Sequence, residues 1–310
     1  MLPPAHRNLT WALIGLIGAV LNSTTVAQSR FQFAPTDKKR TMVERVEYER
    51  ARTVDGVTST TNGQSETRVT FEKKKKSYQI DFKLISNSTM SDGRPLPNPV
   101  TTLLLELPIT GIADSTGRLQ EIRGFSELRN RAKKTLPPVQ YQRLAPFLAP
   151  EALARQFTDE WESRMTLVRG KVLSPGDRFE VTRNIAEGGA FDRVCFAVMW
   201  VESGPVPTGS RKGCVKIRVF EDTDLTQLSQ EVRRWVPGFQ PSVQLTTSDR
   251  GESPDRVVNQ TIYWIEPETM LVRYELSRKW VTLSQLADGT PVSTVMTEQR
   301  RTELLDPDQI

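Results

Sequence analysis

The chain has 310 residues, a formal charge of +5 and one histidine, His6, which lies in a segment with the features of a removable export signal. Loss of that segment leaves a chain without imidazole, which excludes Ser-His-Asp and Cys-His catalysis and leaves no usual zinc ligand set. The mature charge of +4 is spread along the chain, unlike the clustered Lys and Arg of a nucleic-acid footprint.

The export signal is read from its three parts. His6 and Arg7 form a short basic region, and Leu9 to Leu21 is mostly apolar. Thr25 and Ala27 are the small residues a signal peptidase needs, so cleavage is expected after Ala27, leaving Gln28 first. The apolar run is short against the roughly 20 residues of a membrane-spanning helix. Residues 1–27 are therefore expected to be removed, in a periplasmic or extracellular protein with no transmembrane segment after cleavage.

Residues 28–38 read as a flexible lead-in. A long strand is expected over Lys39 to Val54, then a turn at Asp55-Gly56 and a polar stretch, TSTTNGQSET. Arg68 to Phe71 and Ser77 to Ile85 read as two more strands. In the second, Tyr78, Ile80, Phe82 and Leu84 alternate with polar residues at a period of two. Lys73, Lys74, Lys75 and Lys76 occupy the hairpin turn between them. That run could contact an anionic surface, but a solvated hairpin tip is the favoured reading. SDGRPLPNP reads as a loop, and Val100 to Leu107 as a buried strand. GIADSTGRLQEIRG then reads as strand, turn, strand.

Residues 126–166 change period. Tyr141, Leu144, Phe147 and Leu148 mark a short helix broken at Pro146. A second helix starts at Pro150, with Leu153, Phe157, Trp161 and Met165 in one apolar stripe. SPGDRFEV reopens the strand pattern. Cys195 and Cys214 fall in consecutive strands. If Phe196, Val198 and Trp200 share the inner face with Val215, Ile217 and Val219, the cysteines meet outside as a disulfide. A helix is expected over 224–235, and strands over 241–248, 257–265, 270–284 and 292–304. The stretch from Ile112 to Leu119 also resembles that from Trp264 to Leu271, each a strand, an acidic turn and a strand.

At ADSTGRLQEIRG and PGDRFEV the chain resembles uncharacterised exported bacterial β-rich proteins, and in architecture it is similar to the lipoprotein-carrier half-barrels. That resemblance implies a curved antiparallel sheet wrapping helices and carries over no functional residue. The expected fold is mainly β (α+β): a curved antiparallel sheet or half-barrel with a helical insert packed on its concave face. It is either one domain over 39–305 or two half-domains, 39–135 and 171–305, joined by 136–170.

The expected function is non-enzymatic. The chain reads as an envelope protein binding an apolar small molecule or lipid, or a protein partner, without nucleic acid, metal or cofactor. Trp161, Trp200, Trp235, Trp264 and Trp280 are the candidates to line an apolar cavity. The alternatives are an interaction or scaffold module with a filled core, and a carboxylate-based hydrolase drawing on acids such as Glu160, Asp177, Glu187 and Asp192.

Overall fold

The computed structural model describes residues 28–97, 99–187, 191–202, 213–224, 256–287 and 290–306, with 230 and 233 as isolated positions; for 181–187, 191–195, 283–287 and 290–292 it describes the backbone alone. The expected export signal, the helix over 224–235 apart from positions 230 and 233, the strand over 241–248 and Trp235 lie outside the described residues.

The long strands are β2 (Lys39–Val54), β3 (Val57–Lys73), β4 (Ser77–Ser91), β9 (Arg178–Glu187), β10 (Phe191–Glu202), β11 (Val215–Asp222), β12 (Arg256–Ile265), β13 (Val272–Ala287) and β14 (Thr290–Leu305). With β6 (Pro108–Asp114) and β7 (Leu119–Arg123) they form one antiparallel sheet in the order β7-β6-β4-β3-β2-β14-β13-β12-β11-β10-β9. The short β5 (Arg94–Pro95) pairs with the end of β4. A separate ladder joins β1 (Ser29–Arg30) to β8 (Val172–Leu173). The sheet is curved and does not close into a barrel. Bulges between Glu66 and Thr67, Ile112 and Ala113, and Trp264 and Ile265 bend individual strands.

The strands at the two ends of that order, β7 and β9, are linked in sequence by the helices. These are α2 (Phe125–Thr135), α3 (Pro138–Leu144), a 3-10 turn (Ala145–Leu148) and α4 (Pro150–Met165). Proline supplies the first turn of α3 and of α4, where its missing N–H costs nothing. The predicted stripe of α4 packs as expected. Phe157 stands edge-to-face on Phe82 at 4.9 Å, and Trp161 stands on Phe33 at 6.1 Å. Such pairs contribute about 0.5–1.5 kcal/mol each beyond the area they bury.

Four expectations about local structure are corrected. The lead-in over 28–38 is anchored: Phe31 and Phe33 are buried, and Phe33 meets Tyr78 edge-to-face at 5.2 Å. An aromatic pair near the start of the described residues outweighs the polar residues around it. The polar stretch after Gly56 is strand, because β3 pairs with β2 over its whole length. Opposite Gly63 lies Tyr48, whose ring covers the glycine and reaches Thr89 Oγ1 at 3.3 Å. The apolar run from Val100 begins a helix, α1 (Pro99–Leu104), with Leu103 buried. A short continuous apolar run suits either a buried strand or a buried helix.

The fourth correction concerns the cysteine hairpin. Met199 lies opposite Val219 and Val201 opposite Ile217, and all four join the main core. Val198, Trp200 and Phe220 form a separate cluster on the other face. A shift of one residue in register exchanges the two faces of a strand. The same register separates the cysteines. Phe196 lies opposite Asp222, so Cys195 falls level with Thr223, nine positions along the ladder from Cys214. At a strand's rise that is roughly 30 Å, far beyond the span of a disulfide within one chain.

The two similar hairpins share a bulge at corresponding positions, before Ala113 and before Ile265. In each turn a threonine hydroxyl donates to the acid that opens it, Thr116 to Asp114 and Thr269 to Glu266, both at 2.6 Å. The second turn is one residue longer: Asp114 N–H reaches Arg118 C=O, whereas Glu266 N–H reaches Leu271 C=O.

Candidate functional site: a cavity with apolar walls and a charged end

Between the inner face of the sheet and α4 lies a partly enclosed cavity of about 360 Å³. Its deep wall comes from alternate residues of β3, Val69 and Phe71, from Phe82 of β4 and from Leu304 of β14. Phe157, Trp161 and Met165 of α4 cover them. Period two on the strands and a four-residue spacing on the helix therefore bring two apolar stripes face to face. The volume is at the small end of the range for ligand pockets.

The other end of the cavity is charged. Glu44 from β2, Glu160 and Arg164 from α4, and Arg300 from β14 all line it. The Arg164 guanidinium meets Glu275 at 3.1 Å, Glu160 at 3.3 Å and Glu44 at 3.4 Å. Arg300 meets Glu160 at 3.3 Å. Burial lowers the pKa of Arg164, but the surrounding glutamates more than offset this, so it stays charged at any working pH. Burial raises the Glu160 carboxyl, and the guanidiniums of Arg164 and Arg300 outweigh this and hold it below the usual carboxylate range. A general acid for glycoside hydrolysis needs the reverse shift.

Three polar atoms of this region are buried without a hydrogen bond: Nε of the lining residue Arg300, and Thr302 Oγ1 and Glu275 Oε2, whose residues do not line the cavity. For Glu275 the Arg164 contact supplies charge pairing only. The sheet register explains how they come together. Glu275 of β13, Thr302 of β14, Val46 of β2 and Ser65 of β3 form one row across four strands. Val46 and Ser65 line the cavity, and Arg300 stands one inward position along β14 from Thr302. The spacing of Glu160 and Arg164 was a helical i, i+4 pair visible in the sequence, but nothing local pointed to Glu275, Arg300 or Thr302.

Of the tryptophans proposed as cavity lining, Trp161 takes that role, and its Nε1–H donates to Gly117 C=O at 2.7 Å. Trp200, Trp264 and Trp280 are not among the lining residues. Trp200 sits in the outer cluster, its Nε1–H donating to Glu202 Oε1 at 3.0 Å, with the Arg218 guanidinium 5.8 Å above its ring. Trp264 stands edge-to-face on Tyr274 at 5.0 Å. Trp280 is an exposed residue of β13. Their ladder positions put these three on the face away from the helices.

The lysine run forms the β3–β4 turn, with Lys73, Lys74, Lys75 and Lys76 all exposed. Lys74 pairs with Glu72. This tip lies past Phe71, at the filled end of the core, whereas the cavity extends the other way along β3 toward Ser65. Among the candidate acids, Asp177 Oδ2 accepts the backbone N–H of Ser174 at 2.7 Å within a turn. Glu187 and Asp192 have side chains outside the described residues. Among the described residues no group of three or more potential metal ligands gathers, and no helix is long and apolar enough to cross a membrane.

No protein-family model and no curated protein matches the chain. Among solved structures it is similar to DynF from the dynemicin biosynthesis pathway of Micromonospora chersina, at 9% identity over 90% of this chain and 87% of that one, with a TM-score of 0.21. OccK5 (OpdH) of Pseudomonas aeruginosa aligns at 8% identity over 88% of this chain and 99% of that one, with a TM-score of 0.26. A DUF1329 family protein from Desulfovibrio piger aligns at 7% identity over 86% and 87%, with a TM-score of 0.13. Likeness at this level carries no functional argument.

Proposed function

We propose that this is an exported, non-enzymatic envelope protein that binds an apolar small molecule in the cavity between its curved sheet and α4. The observation that carries the reading is the cavity itself: about 360 Å³ of space faced by Val69, Phe71, Phe82, Phe157 and Trp161. A module whose only task was to present a surface would gain stability by filling that space, since an unfilled apolar cavity costs packing energy. Export rests on the arrangement of residues 1–27. Chain recovered from the native compartment is expected to begin at Gln28, which N-terminal sequencing or intact mass checks.

Binding is tested with N-phenyl-1-naphthylamine, whose fluorescence rises in apolar surroundings. The purified mature chain is expected to bind it saturably at about one probe per chain. Thr67 lines the cavity and is only partly buried, so Thr67→Trp can fill the space without displacing buried core. That variant is expected to weaken binding at least about tenfold, equivalent to roughly 1.4 kcal/mol, with an unchanged far-UV spectrum. No saturable signal from the wild-type chain, or equal binding by the Thr67→Trp variant, overturns the proposal.

A further inference from the structure

We infer that the outer face of α2, α3 and the 3-10 turn docks on the surface of a bilayer with anionic headgroups. The docking stands on its own observations; its purpose, exchange of an apolar ligand with that bilayer, rests on the binding reading above. Two observations carry it, a pair of exposed apolar side chains and the one-signed charge around them.

The apolar pair is Phe147 of the 3-10 turn, 73% exposed, and Val139 of α3, 63% exposed. Among the described residues Phe147 is the only exposed phenylalanine. Val139, Arg143 and Phe147 follow one another at four-residue spacing, and all three are exposed. The other side of the same segment is packed, since Tyr141 and Leu144 rest on the cluster that holds buried Leu128 and Leu148. Pro137, Pro138 and Pro146 restrain the backbone beside the exposed pair, so little freedom is left to lose on docking. Single exposed apolar residues are ordinary on a protein surface, and the charge is what sets this pair apart.

From Leu128 to Pro150 the chain has five basic residues, Arg129, Arg131, Lys133, Lys134 and Arg143, and no acid. Over the whole chain the two signs nearly balance, 42 basic residues against 37 acidic. Arg131 is engaged by the carbonyls of Leu103 and Leu105, each at 3.1 Å, at the end of α1. The other four are exposed on α2 and α3. Leu136 and Pro137 alone separate the two helices, so Lys133 and Lys134 in the last turn of α2 lie close to the start of α3.

Apolar side chains set among cations are the pattern of an interfacial anchor. The cations meet headgroup phosphates while the apolar side chains enter the boundary with the acyl chains. A soluble polyanion would use the charges and leave Phe147 in water. The lysine turn carries charge as well, but between buried Phe71 and buried Tyr78 it has no apolar side chain to insert. The layer that carries the docking face also walls the cavity. Phe125 of α2 lines it, as do Leu107 and Ile109 of the cluster on which α2 and α3 pack. Docking therefore sets one side of a single helical layer against the bilayer and the other against the bound ligand.

The test is sedimentation of the purified mature chain with vesicles of phosphatidylcholine, alone or with about 30% phosphatidylglycerol as the anionic lipid. The chain is expected to bind the anionic vesicles and not the neutral ones. Binding is expected to fall when salt rises from about 0.1 M to about 1 M, because the screening length shrinks from about 10 Å to about 3 Å. Each basic residue near such a surface strengthens attraction about fivefold, so K133Q/K134Q/R143Q is expected to weaken binding about a hundredfold. Phe147→Ala is expected to weaken it about tenfold through lost apolar burial. Every side chain replaced is exposed, so the far-UV spectra are expected to be unchanged. K73Q/K74Q/K75Q/K76Q removes more charge from the lysine turn and is expected to stay within about threefold of the wild type, the turn being screened from the docked face. No preference for anionic vesicles, or a loss in the lysine-turn variant that the helical variants do not share, overturns the proposal. Wild-type binding by Phe147→Ala overturns it too, and points to a soluble polyanion instead. If N-phenyl-1-naphthylamine does not bind but the vesicle results hold, the docking face stands and the reading of the cavity falls.

Discussion

Replacing Asp306 with alanine is expected to cost on the order of 3–5 kcal/mol of folding stability at neutral pH, as for other buried charge pairs broken on one side. Asp306 closes the end of β14. It accepts from Arg273 at 2.7 Å and from Arg40 at 2.8 Å, and its side chain is 7% exposed. The Arg273 side chain is 4% exposed, turned inward beside the bulge in β12–β13 and set against Met42 Sδ at 3.6 Å. Without Asp306, that guanidinium is left charged in the core. The double replacement Arg273→Met with Asp306→Leu removes both charges and is expected to recover most of the loss, which separates an uncompensated charge from lost packing. Urea unfolding of the wild type and the two variants measures both.

The same carboxylate predicts an acid limb. Burial raises the Asp306 pKa, but hydrogen bonds from Arg40 and Arg273 outweigh that and hold it below the usual aspartate range. The folded state therefore binds the proton less readily than the unfolded chain. The stabilisation is complete above an unfolded pKa of about 3.9 and is lost as pH falls through the lower folded value. The acid limb of the Asp306→Ala stability curve is expected to be shallower than that of the wild type.

Gly124→Ala is expected to cost about 3 kcal/mol, from a left-handed backbone and an overpacked contact together. Gly124 joins β7 to α2 at φ +107°, and its carbonyl accepts the first helical hydrogen bond from Leu128 at 3.0 Å. A Cβ there would stand 2.6 Å from the carbonyl oxygen of Pro108 and 2.9 Å from Ile109 Cδ1. The carbonyl belongs to the first residue of β6, paired with Lys83 of β4, and the ladder to β7 starts two residues on, so the strand resists its retreat. Helix α2 would have to move, and with it buried Phe125, Leu128 and Ala132. Gly63 makes the contrast. A Cβ there also falls 2.6 Å from a neighbour, but the neighbour is the ring of Tyr48, which can rotate away. Gly63→Ala is expected to stay within about 1 kcal/mol of the wild type, a typical single-site effect. Chemical denaturation of the two variants side by side gives the comparison.

Most of the element pattern was legible because it is local. Tyr78, Ile80 and Phe82 alternate, and burial of their face follows from the pleat. Phe157, Trp161 and Met165 recur at helical spacing, and they do face the sheet. Where the period fails, so does the reading. The first half of β3 is polar on both faces, so no alternation marks it, and it is strand only because β2 pairs along its length. β10 is apolar at successive positions from Phe196 to Val201, so alternation could not say which set faces the core. The choice of Phe196, Val198 and Trp200 as the inner set was off by one residue, and the expected meeting of the cysteines depended on it.

The cavity was legible in part. An apolar space between sheet and helix follows from two facing stripes, and Trp161 belongs to the helical one. Its charged end does not follow from any stripe. Glu44, Glu160, Arg164, Glu275 and Arg300 are far apart in the chain and each looks like an ordinary solvated charge in its own segment. They gather because β13, β14 and β2 are neighbours in the sheet and α4 crosses above them.

By itself, the order of residues determined the segments and their periods, since each of these depends only on near neighbours along the chain. The inner face of each doubly apolar strand and the row of charges at the cavity were decided only by tertiary structure. Side chains distant in sequence become neighbours through strand register, and a displacement of one residue in that register exchanges the two faces of a sheet.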